Sequence, residues 1–426
     1  MKRVLLLLPT TGYRNRDFRA AAQALGVEIV AAANYCHQLA PAWGMAPIMA
    51  LHFDRAEQAA DTVLREIGRA PDAVLAVDDS GLELAALLCA RFGLAGNSAQ
   101  AVRVLRDKLA FRGLLRRHGL PCPAFHHLPS DAEPEALLPQ LVFPVVVKPR
   151  RLSASRGVIR ADDAAELQRA VQRVRAIQAR ADRDAQSLGL VVEEFIPGRE
   201  LALEGMLQAG ALTTLALFDK PDPLDGPTFE ETLYVTPSRL PAELQSHIRA
   251  ETAQLCALAG LREGPVHAEL RVNEGGVWFL EVAARSIGGL CSRALTHLLG
   301  QSLEALILRR ALGERLAIEP GAKAAGVMMI PIPRRGLLHG IEGLEAARAV
   351  PGVSEVTISA ERGQLVAPPP EGSSYLGFIF SRAERPAEAE TALRAAHAQL
   401  RIDIRAEYPA RVQRTGDAPP MASLAG

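Results

Sequence analysis

A chain of 426 residues has room for two to four domains, at roughly 100–200 residues each. Its 49% hydrophobic and 23% charged residues are the balance of a soluble globular protein and exclude disorder as the main state. With 48 basic and 48 acidic residues the formal net charge is zero, which argues against a general nucleic-acid or anionic-membrane binder.

The first hundred residues alternate strand and helix. Val4–Leu8 is a continuous apolar run, as expected of a parallel strand covered on both faces. It is too short for a signal peptide, and no apolar run approaches the ~18 residues of a membrane span. Arg16–Leu25 reads as a helix closed by Gly26 at C′. Val27–Ala32 reads as a strand, Glu57–Ile67 as a helix, Ala73–Val77 as a strand running into Asp78-Asp79, and Leu82–Phe92 as a helix. This is a doubly wound α/β layer, whose functional edge is the loops after its strands. Those loops are Thr10-Thr11-Gly12-Tyr13-Arg14 and Asp78-Asp79-Ser80. No GxGxxG follows the first strand, so dinucleotide binding is not supported.

A second region starts near Ser98. Asp107-Lys108 opens a helix that ends at His118-Gly119. Leu141–Lys148 is predicted as a strand, Pro149 to Gly157 as a loop, Ala164–Ala181 as an amphipathic helix and Leu190–Glu194 as a strand. Leu201–Leu207 and Ala211–Phe218 make a hairpin, and the Pro/Gly-rich stretch Asp219–Thr228 reads as an ordered loop or lid. Leu244–Ala259 and Leu303–Ala311 are helical, with a second hairpin, Val266–Val272 and Val277–Val282, between them. After Pro320 the strands Ala325–Ile330, Val353–Ile358 and Gly377–Phe380 and the helices Glu342–Ala349 and Pro386–Leu400 suggest a small α+β unit. From about Val412 the composition is that of a frayed tail. The five scattered cysteines, Cys36, Cys89, Cys122, Cys256 and Cys291, have no zinc spacing and read as free thiols in a reducing compartment, the cytoplasm.

Chemistry concentrates in a few segments. In the second hairpin the turn is drawn as Glu274-Gly275-Gly276, so that Asn273 faces Val277 and Glu269 falls opposite Glu281. Alternation then puts Ala268, Leu270, Val272, Trp278, Leu280 and Val282 on one face, and His267, Glu269, Arg271, Phe279 and Glu281 on the other. Two opposed carboxylates repel unless a cation sits between them, and a hard oxygen-ligated ion, Mg²⁺ or Mn²⁺, suits the place. A solvated sheet face with Arg271 as counter-charge reads the spacing equally well. Only five of the 48 basic residues are lysine, so a lysine inside a motif is informative. Lys148 ends a strand before the small-residue loop that returns at Gly157, a phosphate-binding device of point charge and backbone N–H groups. Taken alone, an ordinary strand-end lysine is the plainer reading. Glu193-Glu194-Phe195-Ile196 ends a strand in a hinge whose backbone suits a base edge, and Glu200 follows at a distance that suits ribose hydroxyls.

The order Asp107-Lys108, Lys148 with its loop, the Glu193–Glu200 hinge, Glu269, Glu281 and Arg285 resembles the ATP-grasp superfamily. Within it the chain is most similar to carboxylate–amine ligases of the L-amino-acid (dipeptide) ligase type, from about Val4 to about Ile404. Glu281-Val282-Ala283-Ala284-Arg285-Ser286-Ile287-Gly288-Gly289 and Gly264-Pro265-Val266-His267-Ala268-Glu269 carry the likeness, and Gly326–Ile330 and Gly372–Gly377 add the ligase subgroup. The resemblance implies phosphate contacts from Lys108 and Lys148, a mobile phosphate loop with Ser153, Ser155 and Gly157, an adenine hinge of Glu193, Glu194 and Ile196, and a ribose contact from Glu200. It implies Glu269 and Glu281 as metal ligands, and Arg285, with Lys148, as catalytic. Tyr13, His267, Ser286 and Gly288 are substrate-binding candidates, although a satisfied polar contact is the plainer reading of His267. Two departures stand out. Ala283 replaces the Asn of many members, which puts a second metal in doubt, and Gly289 replaces the general-base Glu of biotin-carboxylase-type members.

The implied architecture is an N-terminal α/β domain (1–105), an ATP-grasp domain (106–320, small lobe about 120–193, large lobe about 194–320), a C-terminal α+β domain (321–410) and a flexible tail (411–426). The implied activity is ATP- and Mg²⁺-dependent (or Mn²⁺-dependent) amide formation between a small-molecule carboxylate and an amine, amino acids in the first place, through an acyl phosphate. Nucleic acid and membrane are not expected partners, and a homodimer is left open. The competing readings are a biotin-carboxylase-like carboxylase and a non-catalytic ATP-binding module.

Overall fold

The computed structural model describes residues 1–9, 12–34, 48–181, 187–315, 318 and 323–406. The expectations for Thr10, Thr11, Cys36 and the tail at 411–426 lie outside the described residues.

Strands β1 (Arg3–Leu8), β2 (Glu28–Asn34), β3 (Ile48–Leu51) and β4 (Ala73–Ala76) form a parallel sheet in the order β3-β2-β1-β4. The continuous apolar run of β1 has a direct cause. Leu5 and Leu7 pack with Ala59, Val63, Leu84 and Leu88 of helices α2 (Ala56–Glu66) and α3 (Leu82–Phe92). Val4, Leu6 and Leu8 pack on the other face with Phe18 of α1 (Asn15–Ala24) and Ile307. Both faces are covered, so no polar alternation survives.

Ser98 caps α4 (Ala99–Arg106), and Asp107 caps α5 (Lys108–Arg117) by accepting from the N–H groups of Leu109 and Ala110. A four-stranded antiparallel sheet follows, ordered β5-β8-β6-β7, from β5 (Phe125–Leu128), β6 (Val145–Pro149), β7 (Ile159–Ala161) and β8 (Leu190–Glu194). The strand expected from Leu141 begins only at Val145, after Pro144, and Val142 is exposed. Helix α6 (Ala164–Ala181) covers this sheet with Leu167, Val171 and Val174.

The main body is one antiparallel sheet of eight strands, ordered β13-β12-β9-β10-β11-β14-β18-β16. It combines β9 (Arg199–Gln208), β10 (Ala211–Asp219), β11 (Leu233–Thr236), β12 (Gly264–Asn273) and β13 (Gly276–Ala283) with β14 (Ala324–Ile330), β16 (Val353–Ile358) and β18 (Gly377–Ala383). Three strands of the C-terminal unit therefore extend the large sheet through the pairing of β11 with β14. Its other strands, β15 (Gly336–Glu342), β17 (Leu365–Val366) and β19 (Arg401–Arg405), make a separate small sheet. Glu342, expected to start a helix, ends β15 instead, and the helix is Leu344–Arg348.

The second hairpin corrects the sequence reading. Its turn is two residues, Glu274-Gly275, and Asn273 pairs with Gly276 rather than Val277. That shifts the register by one. A bulge at Leu280 shifts it back, so that Glu269 still faces Glu281. Phe279 therefore pairs with Leu270 and lies in the core, 1% exposed, not on the charged face. Trp278 joins Arg271 on that face, and Leu280 is freed to line a cavity.

Candidate active site

Five parts of the chain enclose a cavity of about 300 Å³. The small sheet and its loop supply Val146, Lys148, Ser153, Ser155 and Val158, and the hinge supplies Glu193 to Ile196. The large sheet supplies Glu200, Glu231, His267, Glu269, Leu280 and Glu281, followed by the loop from Arg285 to Gly289. Tyr13, Asp78 and Asp79 enter from the N-terminal domain, and Met329, Ser373 and Tyr375 from the C-terminal one. Every candidate phosphate, base, ribose, metal, catalytic and substrate residue named from the sequence lines this cavity except Gly157. That glycine lies behind the loop, donating its N–H to Pro370 O at 2.9 Å. Its φ is +70°, and a Cβ there would meet Pro149 at 3.3 Å, so glycine is the residue that closes this turn. Ala154 and Ser155 also have positive φ, +56° and +53°, a backbone cost that persists where surrounding structure imposes it.

The lysines are held differently. Lys108 Nζ donates to Leu152 O at 2.7 Å and stands 3.9 Å from Glu281. Lys148 Nζ lies 2.5 Å from Glu193, whose carboxylate also takes a fork from Arg112 (2.7 and 3.0 Å). Glu193 is thus consumed by a buried ion cluster and presents no free oxygen edge to a base. Arg112 continues to the carbonyls of Phe279 and Leu280, tying α5 to β13. Burial alone would raise the Glu193 carboxyl, but Arg112 and Lys148 outweigh it and hold the group at about 2. Burial, reinforced by Arg112 and Lys108, lowers the Lys148 ammonium against the pull of Glu193.

This cluster sets a pH dependence. The Glu193 carboxyl titrates at about 2 when folded against an ordinary 4.5, so its contribution is present above pH 4.5 and is lost as the pH falls towards 2. Its size is roughly 3 kcal/mol. Denaturation at pH 7 and pH 3 is expected to show that loss in the wild type. Glu193→Gln should be less stable at pH 7 and lose less on acidification. Parallel pH profiles for the two proteins would contradict this.

Around the opposed carboxylates, Glu200, Glu231 and Glu269 each offer an oxygen within 4.8 Å of the others. Lys220 already serves all three: Glu200 at 2.9 Å, Glu231 at 2.5 Å and Glu269 at 3.6 Å. Burial would lower the Lys220 ammonium, yet the three carboxylates raise it well above its ordinary value. Arg271 takes the other Glu200 oxygen at 2.9 Å. His267 bridges Glu204, through Nδ1, and Glu269, 3.1 Å from Nε2. Burial would lower this imidazole, but the two carboxylates, Glu204 first, raise it to about 10.

Arg285 Nε donates to Asp79 at 2.7 Å and its NH1 to Ser286 O at 3.1 Å, while NH2 is 3.6 Å from Glu281. The Ser286 hydroxyl is turned away to Arg14 at 2.5 Å. Tyr13 accepts from the Tyr375 N–H at 3.3 Å and sets its ring edge-on to Phe378, 5.3 Å between centroids. Gly289 has φ +59°, and a Cβ there would lie 2.9 Å from the Phe378 ring, so a side chain at this position would strain the backbone and crowd that ring. Sequence reasoning missed Arg112, Lys220, Glu231, Glu204 and Tyr375. The rarity of lysine could have flagged Lys220, and a lone arginine on the apolar side of α5 could have flagged Arg112.

Residues 141–294 match the ATP-grasp domain family, and residues 328–405 match L-amino acid ligase C-terminal domain 2. The chain carries an ATP-grasp domain followed by an L-amino acid ligase C-terminal domain. Its fold follows the crystal structure of L-amino acid ligase from Bacillus licheniformis with a TM-score of 0.83, over 95% of this chain and 99% of that one, at 28% identity. Carnosine synthase 1 of Homo sapiens is 29% identical over 297 residues, 65% of this chain and 36% of that protein. D-alanine–D-alanine ligase of Ralstonia nicotianae is 29% identical over 204 residues, 46% of this chain and 59% of that protein. The chain thus spans about a third of the length of the carnosine synthase it matches. Among the described residues no helix is long and apolar enough to cross a membrane.

Proposed function

We propose that this ATP-grasp protein is an ATP-dependent carboxylate–amine ligase acting on amino acids. The observation that carries the reading is convergence on one cavity: Lys108, Lys148, Arg285 and the cross-strand pair Glu269 and Glu281 all line it. Val146, Ile196 and Leu280 offer apolar surface to a flat base, beside the hinge. Lys108, Lys148 and the loop at 149–157 would hold the phosphates of ATP. The carboxylate oxygen of the acid attacks the γ-phosphorus and ADP leaves. The amine nitrogen then attacks the acyl carbon, phosphate leaves, and the nitrogen gives up its proton. Arg285 orients the acid and faces the charge that develops on the transferred group. Enclosure by five chain segments keeps water from the acyl phosphate.

The residues present fit a divalent ion. Lys220 lies nearest Glu200 and Glu231, at 2.9 and 2.5 Å, and farther from Glu269, at 3.6 Å, while Glu281 has Arg285 at 3.6 Å and Lys108 at 3.9 Å; the Glu269–Glu281 pair keeps about a quarter of its side-chain surface exposed to meet an ion. These two carboxylates would hold Mg²⁺ or Mn²⁺, which when bound neutralises phosphate oxygens. Ala283 adds no ligand. Glu281→Gln keeps the shape and removes a charge. It is expected to raise the Mg²⁺ concentration for half-maximal rate about tenfold or more and to depress the maximal rate. A metal titration that overlays the wild type would remove Glu281 from the ligand set.

Gly289 argues against bicarbonate chemistry, since it supplies no base and a side chain there would crowd Phe378. A screen of amino acids in pairs, with ADP and phosphate release as readout, tests the function. At least one pair is expected to trigger both products. Release with bicarbonate alone, or with no substrate tried, would overturn the reading.

A further inference from the structure

Glu204 lies on β9, is 1% exposed and does not line the cavity. A buried carboxylate carries a desolvation cost that an apolar residue of similar size would avoid. What it supplies is direction. One oxygen receives His267 Nδ1, its cross-strand partner on β12, and His267 Nε2 continues to Glu269 at 3.1 Å. The other oxygen accepts the N–H of Ile287 at 3.0 Å. Ile287 also offers its carbonyl, in the next peptide unit, to Arg14 NH1 at 3.1 Å, so the backbone is held on both sides of its Cα. Arg14 is itself fixed by Glu304 at 2.8 Å. One carboxylate therefore reaches, without touching the cavity, a carboxylate placed for the metal and the loop that carries Arg285, Gly288 and Gly289.

We propose that Glu204 is a positioning residue that sets the Glu269 carboxylate and the 285–289 loop together, so that metal binding and acid binding are coupled through it. The proposal rests on the ligase reading, because it assigns Glu269 to the metal and the loop to the acid. Glutamine at 204 has one carbonyl acceptor in place of two oxygens. Histidine and the Ile287 N–H use separate oxygens of Glu204, so in Glu204→Gln one of these two donors faces an NH2 group in place of its acceptor.

Glu204→Gln, His267→Gln and the double variant test it. The first readout needs no turnover: the gain in ATP affinity on adding Mg²⁺, by calorimetry. Glu204→Gln should need roughly tenfold more Mg²⁺ for that gain, with metal-free ATP affinity within about twofold of wild type. In the double variant the Mg²⁺ requirement should be no worse than in the worse single variant, since both cut the same path. The KM for the acid should rise about tenfold in Glu204→Gln. If Glu204→Gln does not fold, Glu204→Asp, which keeps the charge but falls one methylene short, should move both quantities in the same direction. Independent, multiplying effects in the double variant would overturn the proposal. So would a variant that only melts earlier while its Mg²⁺ requirement and acid KM stay at wild-type values. A wild type that turns over no amino-acid pair fails the ligase reading instead, and the calorimetric comparison still decides the role of Glu204.

Discussion

Lys148→Ala is expected to fold, to bind ATP more weakly and to lose roughly 10²–10³-fold in turnover, as when a preorganised charge is removed from a closed site. Its ammonium stands between the cavity and Glu193, 2.5 Å from that carboxylate. Removing it leaves Glu193 with the Arg112 fork, both bonds intact at 2.7 and 3.0 Å, so the buried acid does not become unpaired. The small lobe should therefore keep its structure while the phosphates lose a counter-charge. Calorimetry with ATP and a melting curve separate the two effects. Unchanged ATP affinity in a folded Lys148→Ala would place the phosphates elsewhere.

Arg285→Lys is expected to cost on the order of 2–4 kcal/mol of transition-state stabilisation, or ~30- to 1000-fold in rate. The guanidinium is used in three directions: Asp79 by Nε, the Ser286 carbonyl by NH1, and the Glu281 side by NH2. A lysine keeps the charge but cannot reach Asp79 and also present a planar fork to a carboxylate. A structural role makes a different forecast, because Arg285 also joins the N-terminal domain to the large sheet. In that case Arg285→Lys would melt earlier and retain its specific activity at low temperature. Melting temperature and rate measured on one preparation decide between the two.

Local chemistry was legible in the sequence where one rule governed it. Val4–Leu8 declared a two-sided strand because nothing polar interrupts it, Asp107-Lys108 declared a helix start, and Gly26 declared a helix end. The opposition of Glu269 to Glu281 emerged from a turn drawn one residue too long, and the bulge at Leu280 cancelled the error. That bulge has no local sequence signal, so the exposure of Phe279 and Leu280 was read the wrong way round. Partners more distant along the chain stayed hidden for a different reason. Lys220 acquires its meaning from Glu200, Glu231 and Glu269, which meet only when β9 and β12 pair and the segment after β10 folds back. The hinge reading of Glu193 to Ile196 rested on backbone groups and said nothing of where the Glu193 side chain goes. Arg112, 81 residues earlier, is what turns its carboxylate inward. The extension of the large sheet by β14, β18 and β16 likewise depends on β11, a strand of four residues too short to be read as a junction.

The ligase reading requires that a carboxylate is phosphorylated in this cavity before any amine attacks. Hydroxylamine traps an acyl phosphate as a hydroxamate, so the most direct measurement supplies ATP, Mg²⁺, a single amino acid and hydroxylamine, with no second amino acid. A hydroxamate of that amino acid is expected, formed in step with ADP and at a sharply lower rate in Arg285→Lys and Lys148→Ala. ADP release without hydroxamate, for every amino acid that triggers it, would contradict the acyl-phosphate route.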